Sequence, residues 1–246
     1  IGLMLASTVL WFALSRRAFV PGGIGSRAAM SSTKVAATSR IFCYGDSLTA
    51  GTSPPDDVLH PYGPYLEKEL NSSIGGLTPS VVRWVGLPGW TATTMMEHLD
   101  DSRIGLRANI QKIKDPPLSL VVILAGTNDL AYASSPEQII EPILNLHKTT
   151  HEEGIKSVAI GIPPSAWQSM NHDAREMASK VNSALESFCK ESQGSSTYVA
   201  FPFGFDRGDP NWSYDGLHFS VKGYEKMAQG IASTVIGVLK EQEQQK

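Results

Sequence analysis

From residue 40 onward the chain alternates short apolar runs with longer amphipathic ones, five times over. The short runs, 40–44, 80–85, 118–124, 156–162 and 197–203, are rich in Val, Ile and aromatic residues. Most of them lack the apolar–polar alternation of a strand with one wet face. They therefore read as strands covered on both faces. The segments between them, 62–71, 91–99 running on toward 114, 136–153, 173–191 and 220–241, have helical character. In the last, Val221, Tyr224, Met227, Ile231, Val235 and Val238 fall three or four residues apart and form one apolar stripe. Strand then helix, repeated, implies right-handed crossovers and a parallel α/β sheet with helices on both faces.

In such a sheet the carboxyl ends of the strands open into loops along one rim, where ligands bind. The loops read here are Gly45-Asp46-Ser47, Gly86-Leu87-Pro88-Gly89-Trp90, Ala125-Gly126-Thr127-Asn128-Asp129 and Pro163-Pro164-Ser165-Ala166-Trp167, with 209–218 preceding the last helix. Ser47 sits where an apolar run ends in a tight turn. A serine hydroxyl is a weak nucleophile until a base and an orienting acid activate it. Asp215-Gly216-Leu217-His218 offers both from one short loop. Taken singly, Ser47 could be a helix N-cap and Asp215-Gly216 an ordinary turn pair.

Composition narrows the classes. With 246 residues, 41% apolar and 18% charged, the chain can bury the core of one large domain. Its formal net charge of −3 argues against nucleic acid as a partner, because a phosphate-backbone binder needs a basic surface. Two cysteines make no disulfide scaffold: Cys43 reads as a small core residue, and a bridge to Cys189 is left open. Residues 1–38 are set apart from a folded domain over 39–246. The first 45 residues carry Arg16, Arg17, Arg27, Lys34 and Arg40 and no acidic residue. Residues 1–14 form an apolar run like the core of a signal peptide, and 15–40 are Ser-, Ala- and Arg-rich like an organelle transit peptide. The expectation is secretion, organelle import or membrane attachment through this segment.

Taken together, the four blocks Gly45-Asp46-Ser47-Leu48-Thr49, Val85-Gly86-Leu87-Pro88-Gly89, Gly126-Thr127-Asn128-Asp129 and Asp215-Gly216-Leu217-His218 resemble the SGNH (GDSL) family of hydrolases. The resemblance covers residues 40–240. It implies a three-layer α/β/α sandwich, flavodoxin-like, around a five-stranded parallel sheet. It also implies an esterase-, lipase- or lysophospholipase-like activity on a small-molecule ester, with no cofactor and no metal. Ser47 would be the nucleophile, His218 the general base and Asp215 the acid that orients it. The backbone N–H groups of Ser47 and Gly86 and the side-chain amide of Asn128 would form the oxyanion hole. Asp46 is not the triad acid in this pattern and would brace neighbouring loops, and Asp129 has a similar structural reading. Leu48, Leu87, Trp90 and Trp167 would line a substrate pocket, although large apolar residues are core by default. The loop 205–212, with Asp206, Arg207, Asp209 and Asn211, could touch a polar substrate or be a solvated turn.

Competing readings are a carbohydrate O-acetylesterase, a ligand-binding domain on the same scaffold, and a flavodoxin-like nucleotide-binding domain. Architecture alone does not separate them. Gly23-Ile24-Gly25-Ser26-Arg27-Ala28 matches a dinucleotide pattern but follows no strand and opens no helix. His147 and His151 lie one helical turn apart, a zinc-like spacing without a third ligand, and read as a solvated helix face.

Overall fold

The computed structural model describes residues 38–72 and 78–245. The apolar run at 1–14, residues 15–37 of the transit-like stretch and the Gly23–Ala28 pattern therefore lie outside the described residues, while Ser39 and Arg40, read as the end of that stretch, open the first strand. The five expected strands form one sheet: β1 (Ser39–Asp46), β2 (Ser80–Leu87), β3 (Leu120–Leu124), β4 (Lys156–Ile160) and β5 (Ser196–Val199). Every neighbouring pair is parallel, and the order is β2-β1-β3-β4-β5. The chain thus winds outward from β1 in both directions. The switch point falls between β1 and β3, where an open α/β sheet leaves a crevice at its carboxyl rim.

The inner strands β1, β3 and β4 are buried along nearly their whole length because both faces are covered, while the edge strands β2 and β5 are only partly buried. In β1, Ile41 and Cys43 point to one side and Phe42 and Tyr44 to the other. The first side packs against α1 (Ser47–Ala50), α2 (Tyr62–Ser72) and α8 (Val221–Gln244), through Leu48, Leu66, Leu70, Met227 and Ile231 among others. The second packs against α3 (Ala92–Glu97), α4 (Leu106–Lys112), α5 (Glu137–Glu152) and α7 (His172–Glu191), through Met95, Ile110, Ile143 and Val181. This is the three-layer α/β/α arrangement. Burying one such side chain contributes about 1.5–3 kcal/mol. Both cysteines are buried and unbridged, and burial pushes the Cys43 thiol up to about 12.

Helix starts follow local chemistry. Thr91, Asn171 and Ser220 each accept a backbone N–H from three residues on (Thr94, Ala174 and Gly223) and so cap α3, α7 and α8. The long helix expected from 91 toward 114 is instead two. The Asp101 carboxylate accepts the N–H groups of Arg103 and Ile104 at 2.8 and 3.1 Å and closes a turn that breaks the helix. A short helix unmarked by the apolar pattern, α6 (Ala166–Met170), precedes α7. The last strand ends at Val199, four residues early, where its ladder with β4 ends at the Ile160–Val199 pair. In α8 the apolar stripe is buried as expected except at its first member, Val221, which is exposed.

His147 and His151 do not form a solvated face. His147 is fully buried and its Nδ1 lies 2.8 Å from the Ser157 hydroxyl. His151 Nε2 lies 3.1 Å from Ser157 Oγ and 2.9 Å from Ser196 Oγ, and the Phe188 ring stacks on it. The helical period places these rings inward, over the amino ends of β4 and β5. Among the described residues His147 Nε2 has no hydrogen-bond partner, and desolvation pushes the imidazole down to about 3.

The unfolded chain takes up a proton at this ring near the ordinary value of 6.5, whereas the folded state resists it. Stability is therefore complete above pH 6.5 and falls as pH drops toward 3, by up to about 1.4 kcal/mol per pH unit. Urea unfolding of His147→Gln between pH 6.5 and 4 should show a shallower loss than the natural protein. Parallel losses would contradict this.

Candidate active site

Ser47 leaves β1 at the switch point and opens α1. Asp46 caps that turn: its Oδ1 accepts the Leu48 N–H at 2.9 Å. Asp46 thus braces its own turn. The carboxyl is fully buried and its Oδ2 has no hydrogen-bond partner among the described residues. Burial pushes it up to about 7, against the Leu48 amide and the nearby His218, which favour its charged form.

The partners arrive on the segment before α8. Trp212 and Phe219 are buried and bridge each other across the turn, and the Ser213 N–H donates to the His218 carbonyl at 2.8 Å. Their rings, 4.9 Å apart, join Phe201, Phe203 and Tyr224 in one aromatic cluster. Between these anchors the chain must turn sharply at Gly216, whose φ is +64° and whose position leaves no room for a Cβ, 2.5 Å from that of Ala166. The turn presents Asp215 and His218 side by side.

His218 Nδ1 lies 2.7 Å from Asp215 Oδ2, and His218 Nε2 lies 2.9 Å from Ser47 Oγ. Asp215 Oδ1 also accepts the N–H groups of Leu217 and His218, both at 3.0 Å. Burial would raise the Asp215 carboxyl, but these three hydrogen bonds outweigh it and bring it down to about 2. An ionised Asp215 holds the proton on Nδ1, leaving Nε2 to accept from the Ser47 hydroxyl. The arrangement can move a proton from Ser47 to His218 as Ser47 attacks.

Two ties hold the halves in register. The Tyr224 hydroxyl donates to the Thr52 carbonyl at 2.6 Å, and the Ser213 hydroxyl donates to the Pro54 carbonyl. Both join the segment after Ser47 to the segment around His218. Neither carries a local sequence signal, since each partner is an ordinary residue until the fold pairs them.

Gly86 lies beside Gly45 in the register of β1 and β2. A Cβ there would fall 2.0 Å from the Ala50 nitrogen, so glycine lets α1 sit against β2. Asn128 follows β3, and its Nδ2 donates to the Trp90 carbonyl at 2.9 Å. An amide nitrogen carries two N–H donors, so this bond fixes the group and leaves a second N–H. Asp129 accepts the Ala92 N–H through both carboxylate oxygens at 3.0 Å, a structural brace at the start of α3. Of the expected pocket residues, Leu48 and Leu87 are core: the first is fully buried under α2 and α8, and the second packs on the opposite face. Their strand and helix positions turn them inward. Trp90 is half-buried against His98, and Trp167, on α6, is exposed. In the 205–212 loop, Asp209 binds Asn211 and Trp212 is core, while Asp206 and Arg207 face solvent.

The model of the GDSL-like Lipase/Acylhydrolase family matches residues 43–226, and the chain belongs to that family. It is accordingly a hydrolase of ester bonds. Among solved structures it is similar to a carbohydrate acetylesterase, Est24, from Sinorhizobium meliloti, at 19% identity and a TM-score of 0.63, covering 81% of this chain and 99% of that one. It is likewise similar to an aryl esterase of M. smegmatis, at 19% identity and a TM-score of 0.62 with the same coverage. A lipase/acylhydrolase from Enterococcus faecalis, at 21% identity and a TM-score of 0.59, covers 81% of this chain and 96% of its own. At these identities the likeness establishes the fold. No curated protein matches the chain.

Tyr224→Phe removes one tie and leaves the Thr52 carbonyl unpaired. It should cost about 1–3 kcal/mol in urea unfolding and lower kcat on an aryl ester with KM little changed. Unaltered stability and kcat would show that the tie does not position the site.

Proposed function

We propose that this protein is a serine ester hydrolase cleaving small or medium carboxylic esters, lysophospholipid and thioester substrates included, through an acyl-enzyme. The observation that carries the reading is the continuous chain from Asp215 through His218 to Ser47 at the switch point of the sheet. In acylation Ser47 Oγ bonds to the carbonyl carbon while its proton passes to His218 Nε2. The negative oxygen is received by the N–H groups of Ser47 and Gly86 and by the Asn128 amide. When the tetrahedral species collapses, the bond to the alcohol or thiol breaks and His218 returns its proton to that leaving group. Water then repeats the sequence on the acyl-enzyme, releasing the carboxylic acid and restoring Ser47.

A second reading, a carbohydrate O-acetylesterase, takes its support from the structural neighbour that carries that name. The groove of about 560 Å³ between α3 and α5, beside Asp129, does not decide between the readings: Met96, Ala133 and Pro142 line it as well as Glu97, Gln138 and Asn145, and none of Ser47, Asp215 and His218 does.

An acyl-chain series of aryl esters, run beside acetylated sugars and acyl-CoA with Ser47→Ala as blank, separates the readings. The main reading expects aryl ester turnover extending beyond acetate and abolished in Ser47→Ala. Turnover confined to acetylated sugars would favour the second. Asn128→Ala should lower kcat about a hundredfold or more with a small change in KM. An unchanged kcat would remove Asn128 from the oxyanion hole.

A further inference from the structure

A side chain caps each of the helices α1, α3, α6, α7 and α8, and the cap of α1 differs from the rest. Thr91, Ser165, Asn171 and Ser220 accept their backbone N–H through neutral groups. Asp46 does so through a carboxyl that is fully buried, for a helix of only 4 residues. Ser, Thr and Asn cap about as well as Asp, so the backbone does not ask for a charge here. Burying an ionisable group is costly unless its charge meets a counter-charge. The position therefore points to a use for the charge itself.

The groups that face Asp46 come from several elements. Its Oδ1 accepts the Leu48 N–H at 2.9 Å, and its Oδ2 has no hydrogen-bond partner among the described residues. The Thr127 hydroxyl stands beside it from the loop after β3, and Asp129 faces it from the same loop. Tyr62 faces it from α2 and Tyr224 from α8, and burial keeps both phenols neutral. His218 faces it from the turn before α8, on the far side of Ser47, whose hydroxyl lies 2.9 Å from His218 Nε2. No Lys or Arg is buried among the described residues, so the cation that reaches this carboxylate is a protonated His218.

Burial raises the Asp46 carboxyl to about 7; the Leu48 amide, His218 and Thr127 oppose the rise, and the like charge of Asp129 adds to it. The group is thus ionised above neutral pH and uncharged below it. Attraction between two charges is mutual: a protonated His218 favours the Asp46 carboxylate, so the carboxylate favours the imidazolium equally. His218 becomes an imidazolium only as it takes the Ser47 proton. The attraction is therefore stronger in the transition state than in the resting site, which is the condition for raising a rate. Asp215 supports the imidazolium by contact at Nδ1, and Asp46 supports it through space from the Ser47 side.

We infer that Asp46 is a positioning residue of the reaction: its carboxylate acts through His218, stabilising the imidazolium formed as Ser47 attacks, and its protonation weakens the site on the acid side. No bond to Asp46 forms or breaks. The proton that leaves Ser47 stays on His218 until the leaving group takes it. The inference rests on the reading of Ser47 and His218 as an ester-cleaving pair.

The test is kcat/KM on a soluble aryl acetate from about pH 5 to 9, where it reports the essential groups of the free enzyme, with native fluorescence checked at each point. In the natural protein the active form needs His218 neutral and Asp46 ionised. The logarithm of kcat/KM should then fall on the acid side with a slope approaching about two, both steps belonging to the pair. Asp46→Asn keeps an oxygen for the Leu48 N–H but carries no charge. It should reduce that slope to about one and lower kcat about tenfold, with KM within about twofold of the natural value. Asp129→Asn keeps an acceptor for the Ala92 N–H and removes the like charge facing Asp46, so it should move the acid limb to lower pH. The natural slope and the Asp129→Asn shift are read even if Asp46→Asn does not fold. A natural slope of about one, an acid limb unmoved in Asp129→Asn, or an Asp46→Asn protein with kcat and slope unchanged would each overturn the inference and leave Asp46 a cap alone. Turnover undiminished in Ser47→Ala would instead overturn the reading of the pair, and this inference with it.

Discussion

One hydrogen bond, from the Ser47 hydroxyl to His218 Nε2, spans 171 residues of chain, and the site depends on closing that distance. Its length of 2.9 Å is set by no loop alone. β1 delivers Ser47 at the switch point. The aromatic anchors Trp212 and Phe219 deliver His218, by sinking both ends of its turn into the core beside α8. The Tyr224–Thr52 and Ser213–Pro54 contacts then fasten the two segments together. Geometry of this kind must be built by packing before substrate arrives, because a loosely held imidazole would lose proximity and tautomer together.

The pair of carboxylates near Ser47 shows how placement divides labour. Asp215 accepts three hydrogen bonds and stays ionised, which suits the group that faces His218. Asp46, adjacent to Ser47 in sequence, is sealed in the core, and burial raises it. Proximity in sequence therefore misleads about which acid serves the histidine. It is the Asp215 side chain that reaches Nδ1, at 2.7 Å.

The sheet is legible in the sequence because strands covered on both faces, β3 above all, run apolar without alternation, a signal that survives without alignment. The rim loops were legible for a related reason: polar and glycine-rich turns interrupt those runs at their carboxyl ends. Helix detail was less legible. The break after α3 comes from the Asp101 side chain capturing two backbone N–H groups, an alternative that the apolar period does not register. The spacing of His147 and His151 reads as a solvated face because the sequence does not mark which face of α5 meets the sheet. The two hydroxyls that receive them, Ser157 and Ser196, come from different strands. Leu48 and Leu87 flank site residues in sequence but alternate inward, as neighbours of rim residues at the ends of elements do.

The central claim is that Ser47 is activated through His218 across this gap. It is tested most directly by treating the natural protein and His218→Ala with a fluorophosphonate and locating the adduct by peptide mass spectrometry. The account predicts one adduct, on Ser47, formed at least a hundredfold more slowly in His218→Ala, in keeping with the about 10²–10⁴-fold contribution of a positioned base. No adduct on Ser47 in the natural protein, or equal rates in the two, would contradict it.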